Sequence, residues 1–421
     1  MANNFSKEER VAFENLLEGF QDAEVLARAA VIFNSDSTEM ERSNNIIWRP
    51  QPYILPSYTG SDQSANFQDA AQLAVPAQLG FRKAVPWALT DTELRDALQE
   101  GRLGDAAKQR LASDINVALL GAATNLGSLV VKRTVAATGF DDVALCDSIM
   151  NEQGVPSYDR YIALSSRDYN NMASNLGARG TVQGKVQTAY EKAYIGNVSG
   201  FDAFKLDYSL RLAAAGGSSI TMDTRDSGAN YWTPKSFAVS TSGETANVDN
   251  RFQTITVSST TSMAAGDAFT IAAVNAVHHI TKQDTGQLKT FRVVSVPSST
   301  TLVITPPIIS NQVSTPSGTQ YQNCVVNTKA SNSALVFLNT VSAAANVFWQ
   351  KDALELLPGR IAAQPDAGMN VMRGKTDSGI EVVMQKQADI KTGKILYRLD
   401  TLFGVVNKQP EMSGIILFSQ T

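Results

Sequence analysis

Val248-Asp249-Asn250-Arg251-Phe252 opens the stretch that decides the fold, because it feeds four short alternating runs: Thr254 to Ser258, Ala268 to Val274, Thr290 to Val296 and Thr300 to Thr305. Residues 217–330 around them are dense in Ser, Thr, Val and Asn, and the runs are separated by Gly266-Asp267, Asp284-Thr285-Gly286 and Pro297-Ser298-Ser299. Alternation puts every second side chain on one sheet face, and the separators are turn formers. Short strands at this spacing, with almost no helical periodicity, predict a small antiparallel barrel or sandwich.

On both sides of this block the texture is mixed. Apolar and small residues recur at helical spacing from Asp141 to Gly196, with a strand expected at Arg160 to Ser165, a helix from Asp168 and a turn at Gly196 to Gly200. After Ser331 come Asn346-Val347-Phe348-Trp349 and strand-like runs at Gly379 to Gln387, Lys394 to Val406 and Gly414 to Ser419, which are expected to complete the sheet begun earlier. The β block therefore reads as an insertion into an α+β fold.

Towards the N-terminus, Thr90-Asp91-Thr92-Glu93 is a capping box opening a helix to about Leu126. Leu111, Ile115 and Leu119 repeat every four residues on one face, and Gly101 and Gly104 predict a kink or short break before them. Residues 51–78, with Pro52, Pro56, Gly60 and Pro76, read as a protruding arm or hairpin. Residues 6–33 read as an amphipathic helix capped by Ser6, followed by a polar stretch from Asn34 to Asn45. The 307–320 stretch, rich in Pro, Ser, Asn and Gln, fits a flexible surface loop.

With 421 residues the chain holds several cores, and with 36 basic against 40 acidic side chains it is no dedicated phosphate-backbone binder. Cys146 and Cys324 exclude a disulfide scaffold or a cysteine-rich zinc site. The two histidines, His278 and His279, are adjacent, which on a strand points their rings to opposite faces and suits structural roles. Neither Gly101-Arg102-Leu103-Gly104 nor the glycines from 177 to 184 make a phosphate loop. Glu93, Asp96 and Glu100 lie among Arg95, Arg102 and Lys108 and read as a solvated or intersubunit face. No cofactor, metal or catalytic set is expected. The N-terminus carries no secretory signal and no run spans a bilayer, so a soluble cytoplasmic product without membrane contact is expected. Asp249 and Arg251 either cap their own turn or pair across a subunit boundary.

The order of these segments resembles the coat proteins of short-tailed phages of enteric bacteria. The resemblance is carried by Ser43-Asn44-Asn45-Ile46-Ile47-Trp48-Arg49-Pro50, by Ala106 to Val131 with Gly127-Ser128-Leu129-Val130, and by Val248-Asp249-Asn250-Arg251-Phe252. Asn346-Val347-Phe348-Trp349 and Leu399-Asp400-Thr401-Leu402-Phe403-Gly404-Val405-Val406 extend it. It implies the tailed-phage major capsid fold: an N-terminal arm (1–45), an extended loop (46–80), a peripheral domain with a spine helix (81–135) and an axial domain (136–222). An inserted β-barrel domain (223–340) and a return to the axial and peripheral domains (341–421) follow. Hexamers and pentamers in a T=7 icosahedral shell are implied as well. The implied partners are copies of the chain itself, a scaffolding protein, a portal protein and packaged double-stranded DNA held by non-specific proximity. The implied location is the virion, after assembly in host cytoplasm. Glu244, Asp249, Arg251, Trp48 and Arg49 fall where intersubunit contacts are expected, with 239–250 at a local two-fold. The competing reading from the residues is a surface-binding or adhesion module built on the Ser/Thr-rich β domain.

Overall fold

The computed structural model describes residues 10–11, 13–14, 16–17, 26–33, 46–52, 54–55, 57–64, 66–67, 70–90, 97–178, 195–217, 219–222, 231–313, 315–326, 333–362, 370–376, 379–389 and 391–421. The chain forms two compact units. One comprises Met1–Ile47, Ala77–Leu119 and Leu354–Val406; the other comprises Trp48–Pro76, Leu120–Ala353 and Asn407–Thr421.

The first unit is organised by the strand Lys394–Asn407, which pairs antiparallel with Glu381–Asp389 on one side and Phe81–Thr90 on the other. Strand alternation buries Tyr397, Leu399 and Phe403 while Leu396 stays exposed. Cross-strand aromatic pairs reinforce this face: Trp87 stacks on Tyr397 at 5.5 Å and Phe81 on Phe403 at 5.3 Å. The expectation that 379–387 and 394–406 complete the sheet of 160–165 is corrected here, since both belong to this separate sheet. Alternation identifies a strand without naming its neighbour, and Phe81–Thr90 supplies the partner.

Where described, residues 10–17 are helical. The helix expected over 6–33 gives way to a 3-10 turn at Ala27–Ala29 and then to the strand Val31–Ile32, parallel to Leu354–Pro358. β-Branched Val31 and Ile32 favour the pleated form once a sheet edge offers a partner. Ser6, the polar stretch 34–45, Asp91 to Asp96 and residues 179–194 lie outside the described residues.

A single helix runs from Ala97 to Leu126, about 45 Å at the standard rise. Ala107, Leu111, Ile115, Leu119 and Ala123 form its buried stripe at four-residue spacing. The break expected at Gly101 and Gly104 does not occur. Glycine inside a helix costs only about 1 kcal/mol, and Gly104 is buried, where a Cβ would come within 3.4 Å of Leu16.

The second unit contains a mixed sheet in the order Leu129–Lys132, Ser413–Leu417, Asn346–Gln350, Arg160–Ser165, Phe201–Leu206, Asn197–Val198. Strands from before and after residues 207–345 interleave, so that long segment is an excursion from one sheet. Asn346–Gln350 and Ser413–Leu417 are buried at every residue, as strands covered on both faces must be. The helices Phe140–Glu152 and Ser166–Ala178 share a core with the sheet through Val143, Cys146, Met150, Tyr169, Met172 and Phe348.

Within the excursion, strands pair in the order Gln253–Thr256, Thr301–Thr305, Asp284–Ser295, Ala268–Val277, and Ala268–Val277 also pairs with Leu335–Phe337 and Cys324–Val326. Bridges Thr221↔Ala334 and Met222↔Val257 close the ring between its first and last strands. The result is a small antiparallel barrel with its own core, including Met222, Ile255, Phe269, Phe291, Val293 and Ile304. The 307–320 stretch differs from the expected flexible loop. Ile308, Ile309 and Ser310 are buried, and a helix spans Pro316–Tyr321 with Thr315 accepting from the Gly318 amide at 3.1 Å.

Candidate functional site

From the barrel's flank projects a two-stranded hairpin, Phe237–Val239 against Thr245–Asn247, in the register Phe237↔Asn247, Ala238↔Ala246, Val239↔Thr245. Every residue from 237 to 247 is exposed, including Phe237 at 54% and Val239 at 60%. The period of two sets these apolar side chains on one face. The turn is knit by Ser240 N donating to Glu244 O at 2.8 Å and Gly243 N donating to Ser240 O at 3.0 Å. Gly243 adopts φ +85°, a conformation that glycine takes without a Cβ clash.

The foot of the hairpin is held by Asn250, which is buried. Its Nδ2 donates to Lys235 O (2.8 Å) and Val248 O (3.1 Å), while its Oδ1 accepts from Lys235 N (3.1 Å) and Trp232 Nε1 (3.2 Å). One side chain thus ties the outgoing leg to the returning leg. The next residue ties this foot to Asn407, the last residue of the strand Lys394–Asn407. Arg251 Nη2 contacts Asp249 Oδ2 at 2.7 Å, its Nη1 donates to Asn407 O at 2.9 Å, and its guanidinium lies 5.0 Å from the Phe252 ring centre.

Of the residues expected at subunit contacts, Asp249 and Arg251 are brought together as an ion pair within one chain, the Arg251 side chain 8% exposed. Glu244 stands in the exposed hairpin turn. Trp48 and Arg49 are half-buried on the strand Ile46–Pro50, which pairs with Ala74–Gln78. A bridge from Ala74 to Asp249 sets that strand pair beside the hairpin foot. Between the strands runs a loop on which Leu55, Tyr58 and Phe67 are exposed, Phe67 at 86%. Sequence reasoning did not single out Phe237, Val239 or Asn250 individually, although Val239 and Asn250 bound the segment 239–250 that the resemblance places at a local two-fold. The alternation Phe-Ala-Val before Ser-Thr-Ser-Gly is the signal that marks Phe237 and Val239.

Among the described residues, no three His, Cys, Asp or Glu side chains group as a metal site, and no helix is long and apolar enough to cross a membrane. Burial pushes the Cys324 thiol up to about 12 and raises the Cys146 thiol as well, so both stay protonated. A groove of about 500 Å3 on the Phe81–Thr90 sheet is lined by Trp87, Tyr397, Lys386 and Arg398, without a carboxylate or histidine.

Among the described residues, the exposed hairpin 237–247 and the exposed Leu55, Tyr58 and Phe67 stand beside well-packed apolar cores. Over residues 1–419 the sequence matches the family model described as P22 coat protein, gene protein 5, and the chain belongs to that family of tailed-phage coat proteins. Its role is structural, and copies of it assemble into the icosahedral capsid that encloses double-stranded DNA. Similar solved structures include one of Mycobacterium phage Che8 (9% identity, 94% of this chain and 92% of that chain covered, TM-score 0.44). The capsid of cyanophage P-SCSP1u (10% identity, 93% and 86% covered, TM-score 0.43) is another. The CUS-3 coat protein I-domain is 37% identical, with 30% of this chain and 99% of that chain covered and a TM-score of 0.22.

Proposed function

We propose that this coat protein assembles with a scaffolding protein into a T=7 procapsid of hexamers and pentamers. A portal occupies one vertex, and the shell matures around DNA that it contains without gripping. The formal charge of −4 suits that last role, since a wall of balanced charge neither binds nor strongly repels a polyanion. In this reading the N-terminal arm is 1–45, the extended loop 46–80, the peripheral domain 81–135 with Ala97–Leu126 as spine, and the axial domain 136–222. The inserted barrel is 223–340, and 341–421 returns to the shell fold. Assembly takes place in host cytoplasm and the product resides in the virion.

The observation that carries the contact assignment is the exposed hairpin 237–247. An isolated two-stranded hairpin is marginal in water, yet this one offers two unpaired strand edges and the apolar pair Phe237 and Val239. We assign it to a contact with a second copy across a local two-fold. Glu244 sits in its turn, and the Asp249–Arg251 pair holds its foot rather than its tip. Trp48 and Arg49 form the root from which the extended loop reaches a neighbour.

Coexpression with the scaffolding protein of the same phage, followed by sedimentation and negative-stain electron microscopy, tests the reading. Closed, uniform particles are expected, and their diameter gives the triangulation. Small oligomers only, from a folded chain with scaffold present, overturn the scaffold-directed assembly.

A further inference from the structure

At the foot of the barrel a buried cluster of charge joins two parts of the chain that are 122 residues apart. Lys289, on the strand Asp284–Ser295 and 2% exposed, contacts Glu411 Oε1 at 2.5 Å. Glu411 lies in the 3-10 turn Pro410–Met412, directly before the last strand of the mixed sheet. From the loop after Ala268–Val277, His279 Nε2 approaches Glu411 Oε2 at 3.5 Å and has no hydrogen-bond partner among the described residues. Lys282, on the same loop, donates to Gln322 O at 3.0 Å.

Other groups face this cluster as well. His278 packs its ring against Gly154 and accepts from the Thr281 amide, and buried Cys324 lies within electrostatic reach of Lys289 and Glu411. Asp249 is paired with Arg251, and Arg251 shares with His279 and Glu411 the lining of a cavity of about 50 Å3. Arg292 is turned to the carbonyls of Gly266 and Gly127, and Asp267 is held by Asn339 and the Ala264 amide. Besides this cluster, the barrel is seated by Thr290 Oγ1 donating to Ser128 O at 2.6 Å, His279 N donating to Gln153 O at 3.1 Å, Arg251 Nη1 donating to Asn407 O at 2.9 Å and Arg292 Nη1 donating to Gly127 O at 3.4 Å.

We propose that His279, Lys282, Lys289 and Glu411 form an acid-released latch that seats the inserted barrel on the turn leading into the last strand. The closed latch requires Glu411 ionised and His279 neutral. Burial keeps the proton off His279, whose pKa falls to about 4 in spite of the pull of Glu411. Burial alone would raise the Glu411 carboxyl, but Lys289 and Lys282, joined by His279 once it is protonated, outweigh it and hold the pKa below the ordinary value. Lys282, pushed down by burial to about 8, stays cationic throughout the acid range.

Both signs agree. The opened form takes up a proton on His279 as pH falls from 6.5 towards 4, before the closed form does, and at still lower pH protonation of Glu411 leaves Lys289 and Lys282 without their counter-charge. At about pH 4 the histidine alone favours opening on the order of a hundredfold. The barrel's apolar core, including Met222, Ile255, Phe269, Phe291, Val293 and Ile304, carries no side chain that titrates in the acid range, so the barrel is expected to stay folded while its seating opens.

Hydrogen exchange of the full-length monomer, read by mass spectrometry and corrected for the intrinsic pH dependence of exchange, tests this. Between neutral pH and about pH 4, peptides covering 278–283 and 407–417 are expected to lose protection on the order of a hundredfold, while those covering 253–257 and 301–305 keep theirs. Glu411→Gln should open the same peptides at neutral pH, and His279→Gln, a milder change, should shift the transition to lower pH. Unchanged protection at 407–417, or loss of barrel strands in the same step, overturns the latch. Because the measurement is on monomer, failure of shell assembly leaves it intact.

Discussion

Replacing Phe237 and Val239 together by serine tests the hairpin contact where its energy is concentrated. An aromatic side chain offers about 200 Å2, so the exposed 54% of Phe237 leaves roughly 110 Å2 for a partner to cover. At about 25 cal/mol per Å2 this is close to 2.7 kcal/mol, and the exposed share of Val239 adds about 1 kcal/mol. These are upper limits for full burial, near 3 to 4 kcal/mol per hairpin before the ordering costs of association. A net loss of about 2.7 kcal/mol raises the critical concentration for assembly roughly a hundredfold. Light scattering of a purified monomer series with scaffolding protein measures that concentration. The monomer's urea midpoint should not move, because neither side chain is buried in its own chain. Glu244→Gln should change assembly little, and added salt should not weaken the contact as it would a surface ion pair. Wild-type assembly by the double variant, or a loss of equal size from Glu244→Gln alone, would refute an apolar contact here.

Gly414→Ala would bring a Cβ to 2.3 Å from Leu129 O and 2.7 Å from Phe348 Cζ, between strands that flank it on both sides. The expected destabilisation is at or above the top of the usual overpacking range of about 1 to 3 kcal/mol, seen as a lowered urea midpoint; an unchanged midpoint would mean the sheet spreads freely. Phe291→Ala removes a ring that is fully buried in the barrel core and stacked on Phe269 at 5.8 Å. It should cost about 3 to 5 kcal/mol, read by chemical denaturation, and a loss below about 1 kcal/mol would contradict close packing. Monomer stability should fall by up to about 3 kcal/mol as pH drops from 6.5 to about 4, because the unfolded His279 binds its proton first. His279→Gln should flatten that slope, and an identical slope in the variant would count against the buried neutral imidazole. Asn250→Ala should speed proteolytic cleavage within 237–247 severalfold while leaving barrel strands protected, and equal cleavage rates would deny Asn250 its role at the hairpin foot.

The legible parts of the fold were those written in local periodicity. Leu111, Ile115 and Leu119 announced a helix face, and the alternation in 254–258, 268–274 and 300–305 announced strands that the structure forms within a few residues. Pairing was less legible, because alternation in 381–389 and 394–407 carries no information on which sheet receives them. The helix Pro316–Tyr321 had a signal, Thr315 as N-cap with proline at the first helical position, but it was masked by the polar composition around it. At the candidate site, 239–250 and Glu244 came from resemblance, whereas the hold of Asn250 on the hairpin foot and the Glu411 cluster depend on contacts that only the folded chain brings together. Glu411 and Lys289 have unremarkable sequence neighbours; only folding makes them partners.

Burial of charge follows a pattern that apolar packing alone does not explain. Arg251 reaches Asn407 O, Arg292 reaches Gly266 O, and Arg160 reaches Val155 O and Asn151 as well as Asp147. Lys289 reaches Glu411. Each cation fastens a strand or its lead-in to a separate segment. The hydrophobic effect is not directional, so a barrel with a complete core of its own gains little from one seating over a neighbouring one. A guanidinium fork or a buried ion pair does discriminate, because a displaced partner leaves charge desolvated and unpaired, a cost of several kcal/mol. In the contact proposed for the hairpin, a small tilt of the barrel would swing Phe237 and Val239 away from the second copy. Arg251 and Lys289, which hold the hairpin foot and the barrel to Asn407 and Glu411, therefore act on the direction in which the hairpin points as well as on stability.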